Sequence, residues 1–317
     1  MKRVLVTSRS FDGGSGGLTA RLAEAGFEVV RSGPGHELSD LRDLDHVVAW
    51  IAGTGPITGE HLDLFAELQV IARYGVGHES VDHAAAAARG VVITNTPGAN
   101  SDAVADHSLA LMLAALRQVH IGDRRVRAGD WNALRGRELG SLHVGLIGFG
   151  RIGQLVAARL KGFGSRISAY DPVTPAVPGV DGVADLTELS ACDLVSVHAP
   201  GGPTVITAEF LARATPGFTL INTARPELID EHALADALRS GQVAAFAADT
   251  LTGDAAGGSS PLLAAELADK VLLTPHSGAQ TLEAIDRMGS MAVANVLAVL
   301  SGTKPPHPVR TPVLSHS

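Results

Sequence analysis

The chain has 317 residues, 45% hydrophobic and 18% charged, which excludes a disordered protein and suffices for two domains of roughly 150 residues each. A net charge of −8 excludes a general polyanion binder, and the single cysteine, Cys192, excludes an intrachain disulfide. With 36 glycines and only 4% aromatics, the core must be Ala, Val, Leu and Ile, and the glycines must serve turns and close backbone approaches.

Short apolar runs alternate with helical patterns along the whole chain. Val4-Leu5-Val6, Val47–Trp50, Val70–Ala72 and Val91–Ile93 predict strands, with helices around 16–25, 58–67 and 79–89. The run at Val4 is too short for a signal peptide. A domain boundary is expected near residue 100, followed by a long helical pattern over Ser101–Arg127. Within it Leu109–Leu116 is apolar on every face, which suits burial between subunits or domains. The cations of Arg117–Arg137 are interrupted by acids and apolar residues and read as a solvated helix face. Further strands are predicted at 143–148, 166–170, 193–198, 218–222, 243–248 and 271–274. Helices are predicted around 151–162, 207–214, 230–240, 261–267 and 281–300, the last stopped by Gly302 and the prolines at 305, 306 and 308. This alternation predicts an α/β protein with two doubly wound parallel sheets of about five and six strands. No apolar run is long enough to span a membrane, so a cytoplasmic protein with no membrane or nucleic-acid partner is expected.

The strongest motif is Val144–Ile147 running into Gly148-x-Gly150-x-x-Gly153 at the head of a predicted helix. Gly148 permits the tight turn, Gly150 lets backbone approach a pyrophosphate, and Gly153 lets helix and strand pack closely. Arg151 and Ile152 lie in the first turn, where helix amides and dipole favour an anion. Asp171, 18 residues past Gly153 at the end of the next strand, can accept from both ribose hydroxyls of NAD and would repel the 2′-phosphate of NADP. Together these predict NAD binding.

Two other glycine clusters are weaker. Gly13–Gly17 formally matches a nucleophile elbow but follows a polar stretch rather than a strand, so it reads as a flexible loop. Gly75-Val76-Gly77 does follow a strand; lacking an acid about 20 residues on, it reads as an anion nest rather than a dinucleotide site. Thirteen histidines offer no metal-ligand spacing: His78 and His83 are five apart and not on one helix face, and no metal is expected. His276, Arg225, Asp249 and Asp254 each follow a predicted strand, where open α/β sheets hold ligands.

These residues, in order and spacing, resemble the NAD-dependent D-isomer-specific 2-hydroxyacid dehydrogenases, a family that includes phosphoglycerate dehydrogenases and glyoxylate/hydroxypyruvate reductases. The blocks are Arg73–Gly77, Asn95–Asn100, Val104–His107, Gly148–Gly153, Asn222–Arg225 and Thr274–His276, so the resemblance covers nearly the whole chain. It implies a flavodoxin-like substrate domain from residues 1–99 and 281–317, with a Rossmann cofactor domain, 100–280, inserted, and the active site in the cleft between them. It implies Arg225 as the clamp on the substrate carboxylate and carbonyl, His276 as general acid/base, and Asp254 as the acid beside it. Val76, Gly77 and Asn100 match the substrate-carboxylate side. His198, Ala199, Pro200, Thr223, Ala224, Gly278 and His276 itself match positions lining the cofactor. Asp249 matches the residue holding the nicotinamide carboxamide, and His107 reads as structural. A homodimer is also implied.

Some positions depart from the family pattern. The usual catalytic Glu is Asp254, one methylene shorter, in a Gly- and Ala-rich segment. Pro226-Glu227 replaces the usual Gly-Gly after Arg225; Pro226 should hold Arg225 extended, and Glu227 could compete for its guanidinium. Gly201-Gly202 replaces Leu-Thr after Pro200, and Ile51–Thr54 has no arginine for a phosphorylated substrate. The activity implied is hydride transfer between NAD(H) and a small 2-oxo or D-2-hydroxy acid. The departures keep two alternatives open: a non-catalytic NAD(H)-sensing co-repressor, and a formate- or phosphite-type dehydrogenase on the same scaffold.

Overall fold

The computed structural model describes residues 1–174, 177–253 and 259–309. Along the chain the elements are β1 (Arg3–Val6), α1 (Leu18–Glu24), β2 (Glu28–Arg31), α2 (Leu38–Leu41), β3 (Val47–Ala52), α3 (Gly59–Asp63), β4 (Val70–Arg73), α4 (His83–Ala88) and β5 (Val92–Thr94). Then come α5 (Ser101–Leu116), α6 (Val119–Arg127), β6 (His143–Ile147), α7 (Arg151–Phe163), β7 (Arg166–Tyr170), β8 (Asp181–Gly182) and β9 (Leu194–Val197). The chain continues with α8 (Ala208–Arg213), β10 (Phe218–Asn222), α9 (Glu231–Ser240), β11 (Val243–Ala248), β12 (Val271–Leu273) and α10 (Leu282–Leu300). It divides into two compact units, Met1–Asn100 with Gln280–Ser317, and Ser101–Ala279.

In the first unit a parallel sheet runs in the order β2-β1-β3-β4-β5, the flavodoxin-like order. Alternation along the strands divides its core. Val4, Val6 and Ile51 pack with Leu18 of α1 and Val293 and Val296 of α10, whereas Leu5 and Trp50 pack with Leu62 and Phe65 on the other face. The edge strand β2 was not predicted: its charged ends and half-buried middle give little apolar signal, and only pairing with β1 defines it. The tail after α10 returns to the opposite edge, where Pro308 bridges Thr94 and the Val309 amide donates to Ile93 at 2.8 Å. Asn295, fully buried, fastens it by donating to the Asn95 carbonyl (3.0 Å) and accepting from the His307 amide (3.1 Å).

A polar cluster inside this unit titrates. His36 is 1% exposed, with Nε2 2.7 Å from Thr7 Oγ1 and Nδ1 3.0 Å from the Pro56 carbonyl, while Trp50 Nε1 donates to the same hydroxyl. Burial, with lesser help from Arg73 and His61, pushes the imidazole down to about 4 from its ordinary 6.5, against the opposing pull of the Pro56 carbonyl. The unfolded chain takes up this proton near pH 6.5 and the folded one only near pH 4. Stability of the unit should therefore be complete above pH 6.5 and fall as pH drops toward 4, by ~3 kcal/mol in all. Urea midpoints followed by the fluorescence of buried Trp50 should show the decline. His36→Asn, which tolerates the left-handed φ of 62° at this site, should flatten it; an equal decline in both proteins would assign it elsewhere.

In the second unit the parallel sheet has seven strands, β12-β11-β10-β9-β6-β7-β8, one more than predicted because two-residue β8 pairs with β7. One face carries α5 and α7 against Val144, Leu146, Leu194 and Ile221; the other carries α8 and α9 against Val195, Leu220 and Phe246. The predicted helix 101–127 is two helices, broken where Gln118 adopts φ 54°. Of the stretch Leu109–Leu116, residues Leu109, Leu111, Met112, Ala115 and Leu116 are buried in their own unit's core, Leu113 and Ala114 are half-buried and Ala110 is exposed. The helix predicted at 261–267 is instead two 3₁₀ turns, Pro261–Leu263 and Ala265–Leu267, the first capped by the Ser260 side chain, which accepts from the Leu262 amide. Among the described residues no helix is long and apolar enough to cross a membrane.

Candidate functional site

The strand order of the second unit reverses at β6, with β7 on one side and β9 on the other. The crevice beyond their carboxyl ends is where such a sheet takes a ligand. Gly148 follows β6 with φ 91°, and a Cβ there would stand 2.6 Å from the Ala199 amide nitrogen, so the loops after β6 and β9 meet at backbone distance. At Gly153 a Cβ would stand 2.2 Å from the Gly148 carbonyl oxygen, so helix α7 can sit this close to the turn only with glycine there. By contrast a Cβ at Gly150 would meet nothing within 4 Å. The first intrahelical bond runs from Gln154 N to Gly150 O (3.0 Å), which leaves the amides of Arg151, Ile152 and Gly153 facing that open space. This open, amide-headed cradle fits a dinucleotide pyrophosphate.

Asp171 closes the crevice on the β7 side. Its Oδ2 accepts from the Phe149 amide (2.8 Å), and Oδ1 from those of Val173 (2.9 Å) and Thr174 (2.7 Å). Burial raises its pKa, but these donors outweigh it and hold the carboxyl below the usual range, so the group is ionised. The Thr174 hydroxyl bonds the carboxylate as well, so most of its roughly four acceptor directions are taken by its own loop. The same carboxylate therefore shapes the glycine turn.

On the β9 side, His198 places Nε2 2.9 Å from Ser196 Oγ, and its buried Nδ1 has no hydrogen-bond partner. Burial pushes its pKa down to about 4, so the imidazole is a neutral wall group. At Gly201 a Cβ would stand 2.6 Å from Glu227 Oε1, the movable end of that side chain. The Glu227 carboxylate thus lies in the room over Gly201.

Arg225 follows β10 with φ −135° and ψ 142°, the extended geometry expected before Pro226. Its turn is stapled by Asn222, a member of the Asn222–Arg225 block with no role assigned from sequence. Asn222, 1% exposed, accepts from the Ala224 amide and donates to the Arg225 carbonyl, both at 2.9 Å. An Asn closing an apolar strand just before a turn is the available signal, since only the turn's backbone can satisfy its amide. From α5, Ser108 Oγ lies 2.8 Å from Thr223 Oγ1.

Beside it, Asp249 follows β11 and is 4% exposed. It accepts from Thr274 Oγ1 (2.5 Å), the Ser277 amide (2.8 Å) and the Gly278 amide (2.7 Å), so it brackets the turn carrying His276. Burial alone would raise its pKa, but these donors and His107 hold it below the usual carboxylate range. His276 adopts φ 51°. Asp254 lies outside the described residues.

In the first unit the loop after β4 has its carbonyls tied back. Gly75 O accepts from Thr96 N (3.0 Å), Val76 O from Asn95 Nδ2 (2.8 Å) and Gly77 O from Arg73 Nε (3.1 Å). None of the three amides in this loop meets an acceptor among the described residues, the arrangement of an anion nest. Arg73, 5% exposed, also donates to the carbonyls of Gly53 and Gly55. The buried Oδ1 of Asn100 has no partner. His78 and His83, excluded as metal ligands by their spacing, do meet: Nδ1 of the first is 3.0 Å from Nε2 of the second, a hydrogen bond. Among the described residues no three His, Cys, Asp or Glu side chains gather as a metal site.

Residues 109–278, more than half of the chain, match the family described as D-isomer specific 2-hydroxyacid dehydrogenase, NAD binding domain. The chain belongs to the D-isomer specific 2-hydroxyacid dehydrogenase family. The matched segment makes the second unit its NAD-binding domain, in agreement with the open cradle at Gly150. This family member is 42% identical to D-3-phosphoglycerate dehydrogenase of Mycobacterium leprae over 78% of its own length and 48% of the relative's, so it spans about half of that protein. It is 35% identical to glyoxylate reductase of Thermofilum pendens, covering 87% of the chain and 84% of the relative. Among solved structures, the TT0316 protein of Thermus thermophilus aligns with a TM-score of 0.87 and 37% identity, covering 97% of this chain and all of that one.

Proposed function

We propose that this family member transfers a hydride between NAD(H) and a small 2-oxo or D-2-hydroxy acid, with Arg225 holding the substrate carboxylate and carbonyl and His276 exchanging the proton. The observation that carries the reading is the adjacency of β10, β11 and β12, whose carboxyl ends bear Arg225, Asp249 and His276 in one sheet with the dinucleotide cradle. The chemistry supplied by bound NAD(H) is the hydride. A planar guanidinium on an extended, stapled turn suits bidentate contact with a 2-oxo acid. An imidazole gives its proton to the carbonyl oxygen in reduction and takes it from the hydroxyl in oxidation. Asp254 belongs to the proposal as the acid beside His276. Asp249, with about one acceptor direction left on Oδ2, suits the nicotinamide carboxamide. Thr223, Ala224, His198, Ala199, Pro200 and Gly278 line the cofactor in the same reading.

The carboxylate role of Val76, Gly77 and Asn100 is supported by the outward amides of the loop and the unpartnered Asn100 oxygen. An unphosphorylated substrate is favoured because Ile51–Thr54 carries no arginine and buried Arg73, at the end of β4, is tied to three backbone carbonyls. Exposed Val119, Val126 and Trp131, the last 80% exposed, are the apolar surface for the proposed homodimer.

Purified protein should oxidise NADH with at least one unphosphorylated 2-oxo acid, prefer it to NADPH because of the Asp171 carboxylate, and release the D product. NADH binding without turnover across a broad 2-oxo acid panel would reject the activity in favour of a sensor. Reduction of NAD by formate or phosphite alone would move the protein to the other branch of the scaffold.

A further inference from the structure

We infer that His107 is a positioning residue for proton transfer: from α5 it locks Asp249 and Thr274 in the pose that fixes the turn bearing His276. The inference rests on the reading of His276 as the proton carrier. His107 Nε2 lies 2.9 Å from Thr274 Oγ1 and 3.3 Å from Asp249 Oδ1. The Thr274 hydroxyl has a single proton, and its 2.5 Å contact with Asp249 Oδ1 claims it over the 3.4 Å contact with the Ala248 carbonyl. Thr274 can then only accept from His107, so Nε2 carries a hydrogen and donates to the hydroxyl and, more weakly, to the carboxylate.

The consequence reaches His276 through backbone. Asp249 Oδ1, fixed by His107 and Thr274, accepts from the amide of Ser277, and Oδ2 accepts from that of Gly278. These are the two amides that directly follow His276. On the preceding side the His276 amide donates to the Thr274 carbonyl at 2.9 Å. A left-handed φ of 51° at a residue other than glycine is strained and persists only where its surroundings impose it. The clamp supplies that constraint. Its tightness shows at Gly278, where a Cβ would stand 2.9 Å from Asp249 Oδ2 and 3.5 Å from His107 Cδ2. No group of His107 is needed at the reacting atoms for this role.

The test compares His107→Phe, His107→Gln and Thr274→Val with wild type, using a 2-oxo acid that wild type reduces, with NADH affinity from fluorescence titration. His107→Phe and Thr274→Val should each lose about tenfold or more in kcat, since small misplacement of a catalytic group costs up to about a hundredfold. NADH Kd should rise by much less than kcat falls, because Asp249 is only one of the proposed cofactor contacts, and His107→Gln, which keeps an N–H donor, should recover most of kcat. Wild-type kcat in His107→Phe, or a loss that glutamine fails to restore and that NADH affinity follows in parallel, overturns the inference. His276→Asn serves as the reference. If it is inactive while His107→Phe is fully active, only the positioning role fails; if it keeps wild-type turnover, the reading of His276 fails, and the inference with it.

Discussion

Replacing His276 with asparagine should lower kcat for 2-oxo acid reduction by about 10²–10⁴-fold while NADH affinity changes little. Asparagine is the informative choice because the site has φ 51°, a region that Asn tolerates and most residues do not. The turn between Thr274 and Gly278 can therefore keep its bonds to Asp249, and what disappears is the imidazole. An amide cannot give up a proton near neutral pH, so the carbonyl oxygen must be protonated by water. Steady-state kinetics with fluorescence titration of NADH separates the two effects. Turnover within about threefold of wild type would place the proton donor on another residue.

Arg225→Lys should lower kcat/KM by about 10²–10³-fold, since two charge-assisted hydrogen bonds worth about 1.5–3 kcal/mol each give way to one point charge. The structure makes this a test of geometry rather than of charge. Pro226 holds the backbone extended and the buried Asn222 amide ties Ala224 and Arg225, so the turn should survive the substitution. Wild-type kcat/KM in the lysine variant would show that a cation alone suffices and would remove the bidentate role. Because NADH contacts are not proposed for the guanidinium, cofactor affinity should be unchanged.

Local patterns carried most of the architecture. The glycine fingerprint lies on its strand–turn–helix because φ 91° at Gly148 and contact at Gly153 admit little else, and such demands show in residue type. Edge strand β2, by contrast, has no apolar stripe of its own and exists through pairing with β1. The break at Gln118 has no glycine or proline to announce it. The tail was legible only as a stop signal; its pairing along β5 joins segments some 200 residues apart, fastened by the Asn295 side chain.

The family blocks, the alternation of strands and helices, and the residue types able to bind a dinucleotide and exchange a proton are all legible along the linear chain. They are encoded at short range, in backbone conformation and in the 2.0 and 3.6 periodicities. How those residues are held is a property of the folded chain alone. Asp171 spends three acceptor sites on backbone amides, Glu227 fills the space over Gly201, and Asp249 clamps the His276 turn with His107, from a helix far earlier in the chain. A buried carboxylate must find its donors in three dimensions, and which donors it finds depends on which strands and helices lie side by side rather than on spacing along the chain.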